Sequence, residues 1–200
     1  MTLDQFRPKV QGIFQPMVDI SKKLGLTPNT YTVASLAFSA AAGIAFWAGG
    51  IALGILMVGL NALFDALDGA LARDLGIASL RGDFLDHVID RYADIFIITG
   101  IFAGGAASWQ IGVFALTGVL MASYLGTQAQ AVGVGRYYGG ILGRADRLVL
   151  IILAGILTLL LPEIIYGLNY LGWLLVIFGV LGHYTALQRF AHTWRQIDKE

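Results

Sequence analysis

The sequence has no cysteine, which excludes disulfides and thiol redox chemistry. It is also poor in charge: Asp, Glu, Lys and Arg make up 13% of its 200 residues and cancel to a formal net charge of zero. A phosphate backbone is bound by an excess of basic residues, so nucleic acid is not an expected partner. The N-terminal stretch MTLDQFRPKVQGIFQPMVDI lacks the apolar run of a cleavable signal peptide. There is no internal repeat, linker or low-complexity tract. What is present in excess is apolarity, at 57% hydrophobic residues and a mean hydropathy of +0.73, together with 26 glycines. The composition is that of a polytopic membrane protein, an all-α chain whose glycines permit close helix packing. Its length suits a single domain, residues 1–200.

Residues 2–24 mix Leu3, Phe6, Val10, Ile13, Phe14, Met17, Val18 and Ile20 with Arg7, Lys9, Lys22 and Lys23. The pattern predicts an amphipathic interfacial helix, broken near Pro8 and Pro16. With the turn around Gly25 it forms a juxtamembrane segment, residues 1–27. Thr27 followed by Pro28 reads as an N-cap with proline at the first helical position. A six-helix bundle over 28–200 follows, with transmembrane helices at about 32–49, 51–75, 83–105, 109–135, 145–161 and 168–194. The thirteen Lys and Arg avoid the 1–2, 3–4 and 5–6 turns. The positive-inside rule then puts both termini on the cytoplasmic side of the cell membrane.

Carboxylates interrupt this apolar pattern in DALDGALARDLGIASLRGDFLDHVID, residues 65–90. At helical spacing, Asp65, Asp68, Gly69, Ala72 and Arg73 share one face, and Asp83, Asp86, Asp90 and Asp94 share one face of the next helix. Charge inside a membrane is costly, so such a cluster points to function. Four converging carboxylates repel and call for cations. Oxygen ligands suit Mg²⁺, Mn²⁺ or Ca²⁺, and a pair of divalent ions is a known solution for displacement at phosphorus. Gly69 and Ala72 leave a groove for a ligand, with Arg73 at its rim for a phosphate. A cation or proton transporter would use the same carboxylates. It would not need the Gly, Ala and Arg beside them, and neither inverted repeats nor broken helices are evident.

The pattern Asp65-x2-Asp68-Gly69-x2-Ala72-Arg73-x8-Gly82-x3-Asp86-x3-Asp90 resembles the complete signature of the CDP-alcohol phosphotransferase (CDP-alcohol phosphatidyltransferase) family. The resemblance implies transfer of a phosphatidyl-type group from a CDP-linked lipid to a small alcohol, with release of CMP. It implies Asp65, Asp68, Asp86 and Asp90 as ligands of two Mg²⁺ or Mn²⁺ ions, with Asp90 also the general base. It implies contacts to the CDP-lipid from Gly69, Ala72, Arg73, Ser79 and Gly82, and from Asn29 to Thr32 at the mouth of the first span. It further implies a homodimer.

For the acceptor, Arg144, Arg147 and Arg189 offer an anion site around one mouth, matching arginines that bind acceptor phosphate in family members using inositol phosphate. Those members carry basic residues shortly after a Ser-Tyr pair, where this chain has Gly126, Thr127 and Gln128. Glycerol phosphate is therefore the expected acceptor, ahead of inositol phosphate or serine. The wording of SYLGTQAQA and GRADRL is similar to archaeal members, so the lipid reads as CDP-archaeol. Asn61 lies one turn before Asp65. Asp94 is expected either to orient Asp90 or an acceptor hydroxyl, or to pair with Asn61 or Tyr124. His87 is expected to be a hydrogen-bonded structural residue.

Overall fold

A computed structural model describes residues 7–137 and 139–197. Among the described residues the chain forms seven helices: α1 (Arg7–Lys23), α2 (Pro28–Trp47), α3 (Ile51–Asp74), α4 (Leu80–Ala103), α5 (Trp109–Ala131), α6 (Arg144–Leu160) and α7 (Tyr170–Ile197). Four of them, α2, α3, α5 and α7, are long and apolar enough to cross a bilayer. α4 is as long as α3, at 24 residues, but carries Arg81, Asp83, Asp86, Asp90, Arg91 and Asp94. α6 has only 17 residues, about 26 Å at 1.5 Å per residue. The chain is thus an all-helical membrane protein.

Local chemistry sets the helix ends. Thr27 Oγ1 accepts from the Thr30 amide at 3.4 Å, with Pro28 opening α2 as expected. Ser79 Oγ caps α4 by accepting from the Gly82 amide at 3.1 Å. α5 stops at Ala131 rather than 135, because Gly133 follows with φ 88°, a left-handed conformation that ends a helix. α6 begins on Arg144, a charge its own dipole disfavours there. Asp146 in the same turn accepts from the Gly143 amide at 2.9 Å.

The helices form two tight groups. α2 packs on α3 and α4, α5 packs on α7, and α6 lies against α3 and α7. Small residues bring backbones into contact, as lipid-embedded helices require. A Cβ on Gly100 would lie 2.2 Å from the Gly43 carbonyl oxygen, and one on Gly182 would lie 2.6 Å from the Gly118 carbonyl carbon. Phe46, Ile97, Ile98, Ile101, Val119, Leu148, Ile151, Leu175 and Phe178 fill the space between the groups. Gly100→Ala should therefore part α2 from α4 and destabilise the fold by about 1–3 kcal/mol, read as a lower melting temperature in detergent. An unchanged melt would show that the crossing tolerates a methyl group.

α1 runs unbroken through Pro16, contrary to the expected break; residues 2–6 of that predicted helix lie outside the described residues. Contacts on both sides of Pro16 fasten the helix to its neighbours. Phe14 and Val18 pack with Ala70, Leu71 and Tyr31, and Ser21 Oγ meets the Tyr31 hydroxyl at 2.5 Å. Gln15 Nε2 donates to Asp74 at 3.1 Å, and Lys22 pairs with the same carboxylate. The hydrogen bond of Lys22 itself to Asp74 is the main reason the Lys22 ammonium titrates above its ordinary value. Ile20 and Leu24 stay exposed on the other side, as an interfacial helix needs.

Candidate active site

α3 and α4 present their carboxylates to one another at the end of the bundle where α1 is fastened. One oxygen from each of Asp65, Asp68 and Asp86 lies within 4.8 Å of the others, and Asp86, His87 and Asp90 form a second such group. Donor atoms around one hard cation lie roughly 3–5 Å apart, given metal–oxygen distances of about 2.0–2.6 Å. The first trio therefore fits a divalent ion by spacing and by donor type. Asp68 is held by Thr32, buried in the first turns of α2, whose Oγ1 donates to Asp68 Oδ2 at 2.7 Å. Such a partner fixes which lone pairs face the centre of the cluster. Thr32→Val should weaken Mn²⁺ binding about tenfold, measurable by titration of the free-ion EPR signal. Unaltered affinity would mean that Asp68 is oriented without it.

Two arginines offset part of the negative charge. Arg144, at the start of α6, places Nη1 2.6 Å from Asp65 Oδ1 and 2.8 Å from Asp90 Oδ1. The approach to Asp90 is too oblique for a hydrogen bond, and Arg144 Nε and Nη2 find no hydrogen-bond partner among the described residues. Arg91 Nη1 stands 3.6 Å from Asp90 Oδ2. Four carboxylates against two guanidiniums leave an excess of negative charge, which a bound cation would relieve. The two unpartnered donors of Arg144 are suited to an incoming anion.

The remaining expected site residues are spread around this centre. Arg73 is exposed and folds back over Gly69, where a Cβ would come within 3.1 Å of its Nη1. Ala72 is half-buried one turn from Asp68, while Asn29, at the first turn of α2, is exposed. Ser79 and Gly82 form the cap of α4. Arg189 is buried on α7 and donates to the Ala122 carbonyl at 2.7 Å and to the Gly139 carbonyl at 2.8 Å. It reaches them because residue 126 has no side chain: a Cβ on Gly126 would sit 2.7 Å from Arg189 Nη1. The positive charge absent after Tyr124 on α5 is thus delivered there from α7.

Several arrangements had no clear signal in the sequence. Arg147 pairs with Asp94 at 2.6 Å, with only 3% and 4% of the two side chains exposed. Asp94 therefore does not pair with Asn61 or Tyr124. Asn61 is fully buried and donates to the Ser35 carbonyl at 2.9 Å. His87 is not held by a hydrogen bond at Nδ1, which lies 3.7 Å from Asp86 with no partner among the described residues. Arg136, in the segment between α5 and α6, forks onto both oxygens of Asp83 at 3.1 and 2.8 Å and donates to Gln130. The same segment stacks Tyr137 on His192 at 3.8 Å.

A family model for CDP-alcohol phosphatidyltransferases matches residues 25–183. The chain belongs to the CDP-alcohol phosphatidyltransferase family. It is accordingly an enzyme, a membrane-bound, divalent-metal-dependent transferase of phospholipid biosynthesis. An archaetidylinositol phosphate synthase of Methanothermobacter thermautotrophicus is 32% identical over 197 residues, covering 98% of this chain and 95% of the relative. One from Pyrococcus horikoshii is 37% identical over 157 residues, covering 77% and 82%. The crystal structure of Mycobacterium tuberculosis phosphatidylinositol phosphate synthase with CDP-DAG bound superposes with a TM-score of 0.77 at 26% identity, covering 90% of this chain and 92% of that one. The same enzyme has also been solved with manganese and citrate.

Proposed function

We propose that this enzyme transfers a phosphatidyl-type group, of the archaeal ether-linked kind, from a CDP-linked lipid to inositol phosphate, releasing CMP. The observation that carries the reading is the meeting of three carboxylates at one point, with Asp90 and the buried, unpartnered donors of Arg144 beside it. A metal cluster, a base and an anion site then border one another. Inositol phosphate replaces glycerol phosphate as the acceptor. The relatives named above are inositol phosphate synthases, and the argument from the neutral Gly126–Gln128 stretch loses its force once Arg189 reaches the space above Gly126.

Asp65, Asp68, Asp86 and Asp90 would hold two divalent ions, Mg²⁺ or Mn²⁺. When bound, such ions neutralise charge on the diphosphate and on departing CMP. The chain's own residues do the rest. Thr32, Gly69, Ala72, Arg73 and the Ser79–Gly82 turn bind and orient the CDP group. Arg144 and Arg189 hold the acceptor phosphate. Asp90 takes the proton of the acceptor hydroxyl as its oxygen attacks the lipid-linked phosphorus, and the bond from that phosphorus to the CMP oxygen breaks. Six crossings, with this end facing the cytoplasm, would keep the lipid tails in the bilayer while soluble acceptor enters from the aqueous side.

The test is CMP release by the purified protein with Mg²⁺ and either CDP-archaeol or CDP-diacylglycerol. The acceptor panel is inositol phosphate, glycerol 3-phosphate, free inositol, serine and none. Release dependent on inositol phosphate supports the reading, and release dependent on glycerol 3-phosphate alone overturns it.

A further inference from the structure

α1 has three faces. At about 100° per residue, Phe14, Val18 and Ser21 share one side and Gln15, Asp19 and Lys22 a second. Met17, Ile20 and, just past the helix end, Leu24 share a third. The first side is packed: Phe14 and Val18 meet Ala70 and Leu71 of α3, and Ser21 meets Tyr31 of α2. The second side holds Asp74, the last residue of α3, through the Gln15 amide at 3.1 Å and the Lys22 ammonium. The third is exposed and suits the bilayer interface. By the same spacing on α3, Ala70, Leu71 and Asp74 lie opposite Asp65, Asp68, Gly69 and Ala72. α1 is thus seated on the back of the face that carries the site. Thr32 of α2 reaches Asp68, and α2 begins at Pro28. α3 runs on to Asp74, about 9 Å past Asp68 at 1.5 Å per residue, so it outruns the start of α2.

We propose that Gln15, Lys22 and Asp74 are positioning residues: the clamp they form braces the last turn of α3 from behind, and so sets where Arg73 stands toward the CDP group. The inference rests on the CDP-lipid role proposed for Arg73. The last carbonyls of a helix lack intrahelical partners, so its final turn is the first to open, and a guanidinium on an open turn has no fixed place. The clamp grips the residue next to Arg73 from the side away from substrate, and restrains the turn without occupying the site. Asp74 is otherwise misplaced, because a carboxylate at a helix C-terminus is opposed by the helix dipole. Its partners on α1 account for it. Partly exposed ion pairs contribute little to global stability, and the Lys22 and Asp74 side chains are 36% and 25% exposed. The docking of α1 comes instead from apolar contacts such as Val18 and Leu71, both buried. Loss of the clamp therefore loosens one turn rather than the fold. With Met17, Ile20 and Leu24 in the interface, the brace also ties the nucleotide end of α3 to the level at which a lipid headgroup arrives.

Two measurements on the full chain in detergent test this. The first is kinetic, with Mn²⁺, CDP-lipid and acceptor. Asp74→Ala should raise the CDP-lipid KM on the order of tenfold, as expected for a misplaced binding group, while the acceptor KM, the Mn²⁺ affinity and the melting temperature stay at wild-type values. Gln15→Leu/Lys22→Met, which removes the clamp from the α1 side, should show the same rise. The charge-reversed pair Lys22→Asp/Asp74→Lys rebuilds the contact and should restore most of the CDP-lipid affinity. The second measurement needs no turnover. Amide hydrogen exchange over residues 70–76 should be faster in Asp74→Ala and in the α1 variant, and should return toward wild type in the charge-reversed pair. Alanine is itself a better helix former than aspartate, so faster exchange there reports the lost clamp. A wild-type CDP-lipid KM in Asp74→Ala overturns the proposal, as do unchanged exchange rates. A rise shared equally by the acceptor KM, with a lower melting temperature, also overturns it by making the contact one of general stability. So does a charge-reversed pair no better than Asp74→Ala. If the wild type releases no CMP from either CDP-lipid, the proposed function fails, and the exchange rates still decide whether the clamp braces the turn.

Discussion

Asp90→Asn should lower kcat by roughly 10²–10⁴-fold, the range expected when a general base is lost, while CDP-lipid binding is retained. Asp90 is 8% exposed, with Arg144 on one oxygen and Arg91 near the other. Asparagine keeps the shape and volume of the side chain, so packing on α4 survives. It removes the acceptor for the hydroxyl proton and one negative charge from the cluster. The CDP group is assigned instead to Gly69, Arg73 and the Ser79–Gly82 turn, which Asp90 does not build. The readout is the pair of CMP release in a single turnover and CDP-lipid-induced thermal stabilisation. Normal turnover would sink the general-base assignment, and loss of both signals together would make Asp90 a determinant of the site's assembly instead.

How far the site was legible in the sequence follows from the range of each interaction. Asp65, Asp68, Asp86 and Asp90 were readable because helical spacing is local: i, i+3 and i, i+4 fix a shared face before any tertiary contact forms. The cap at Thr27 and the apolar stretches are local in the same sense. The partners of those carboxylates are not. Thr32 reaches Asp68 across 36 residues, and Arg147 reaches Asp94 across 53. No periodicity encodes which helix stands opposite. The sequence showed that Asp94 extended the carboxylate stripe and that two arginines opened α6 three residues apart. It offered no means of matching Arg147 to Asp94. Gly126 is a related case. A missing side chain was read as missing charge, when its physical effect is to admit a guanidinium from α7. The failed break at Pro16 is similar, since the partners that Phe14, Val18 and Ser21 of α1 pack against belong to α2 and α3.

Asp68→Ala should cause the other large loss, about 10³-fold in kcat/KM at low Mn²⁺, which corresponds to ~4 kcal/mol of transition-state stabilisation. Among the three carboxylates that converge, Asp68 is the most enclosed, at 7% exposed, and the one oriented by Thr32. The enclosed, oriented ligand has the least freedom to be replaced by water, so its loss cannot be made good by a small movement of its neighbours. Removing a buried carboxylate also leaves the Thr32 hydroxyl, already 3.1 Å from the Pro28 carbonyl, with a second acceptor to hand, so the fold of α2 should survive. A metal role predicts that the deficit shrinks as Mn²⁺ is raised and that the EPR titration moves by the same factor as activity. A deficit independent of Mn²⁺, with the melting temperature lowered, would instead mean that Asp68 supports the α2–α3 contact and that the ions depend on Asp65, Asp86 and Asp90 alone.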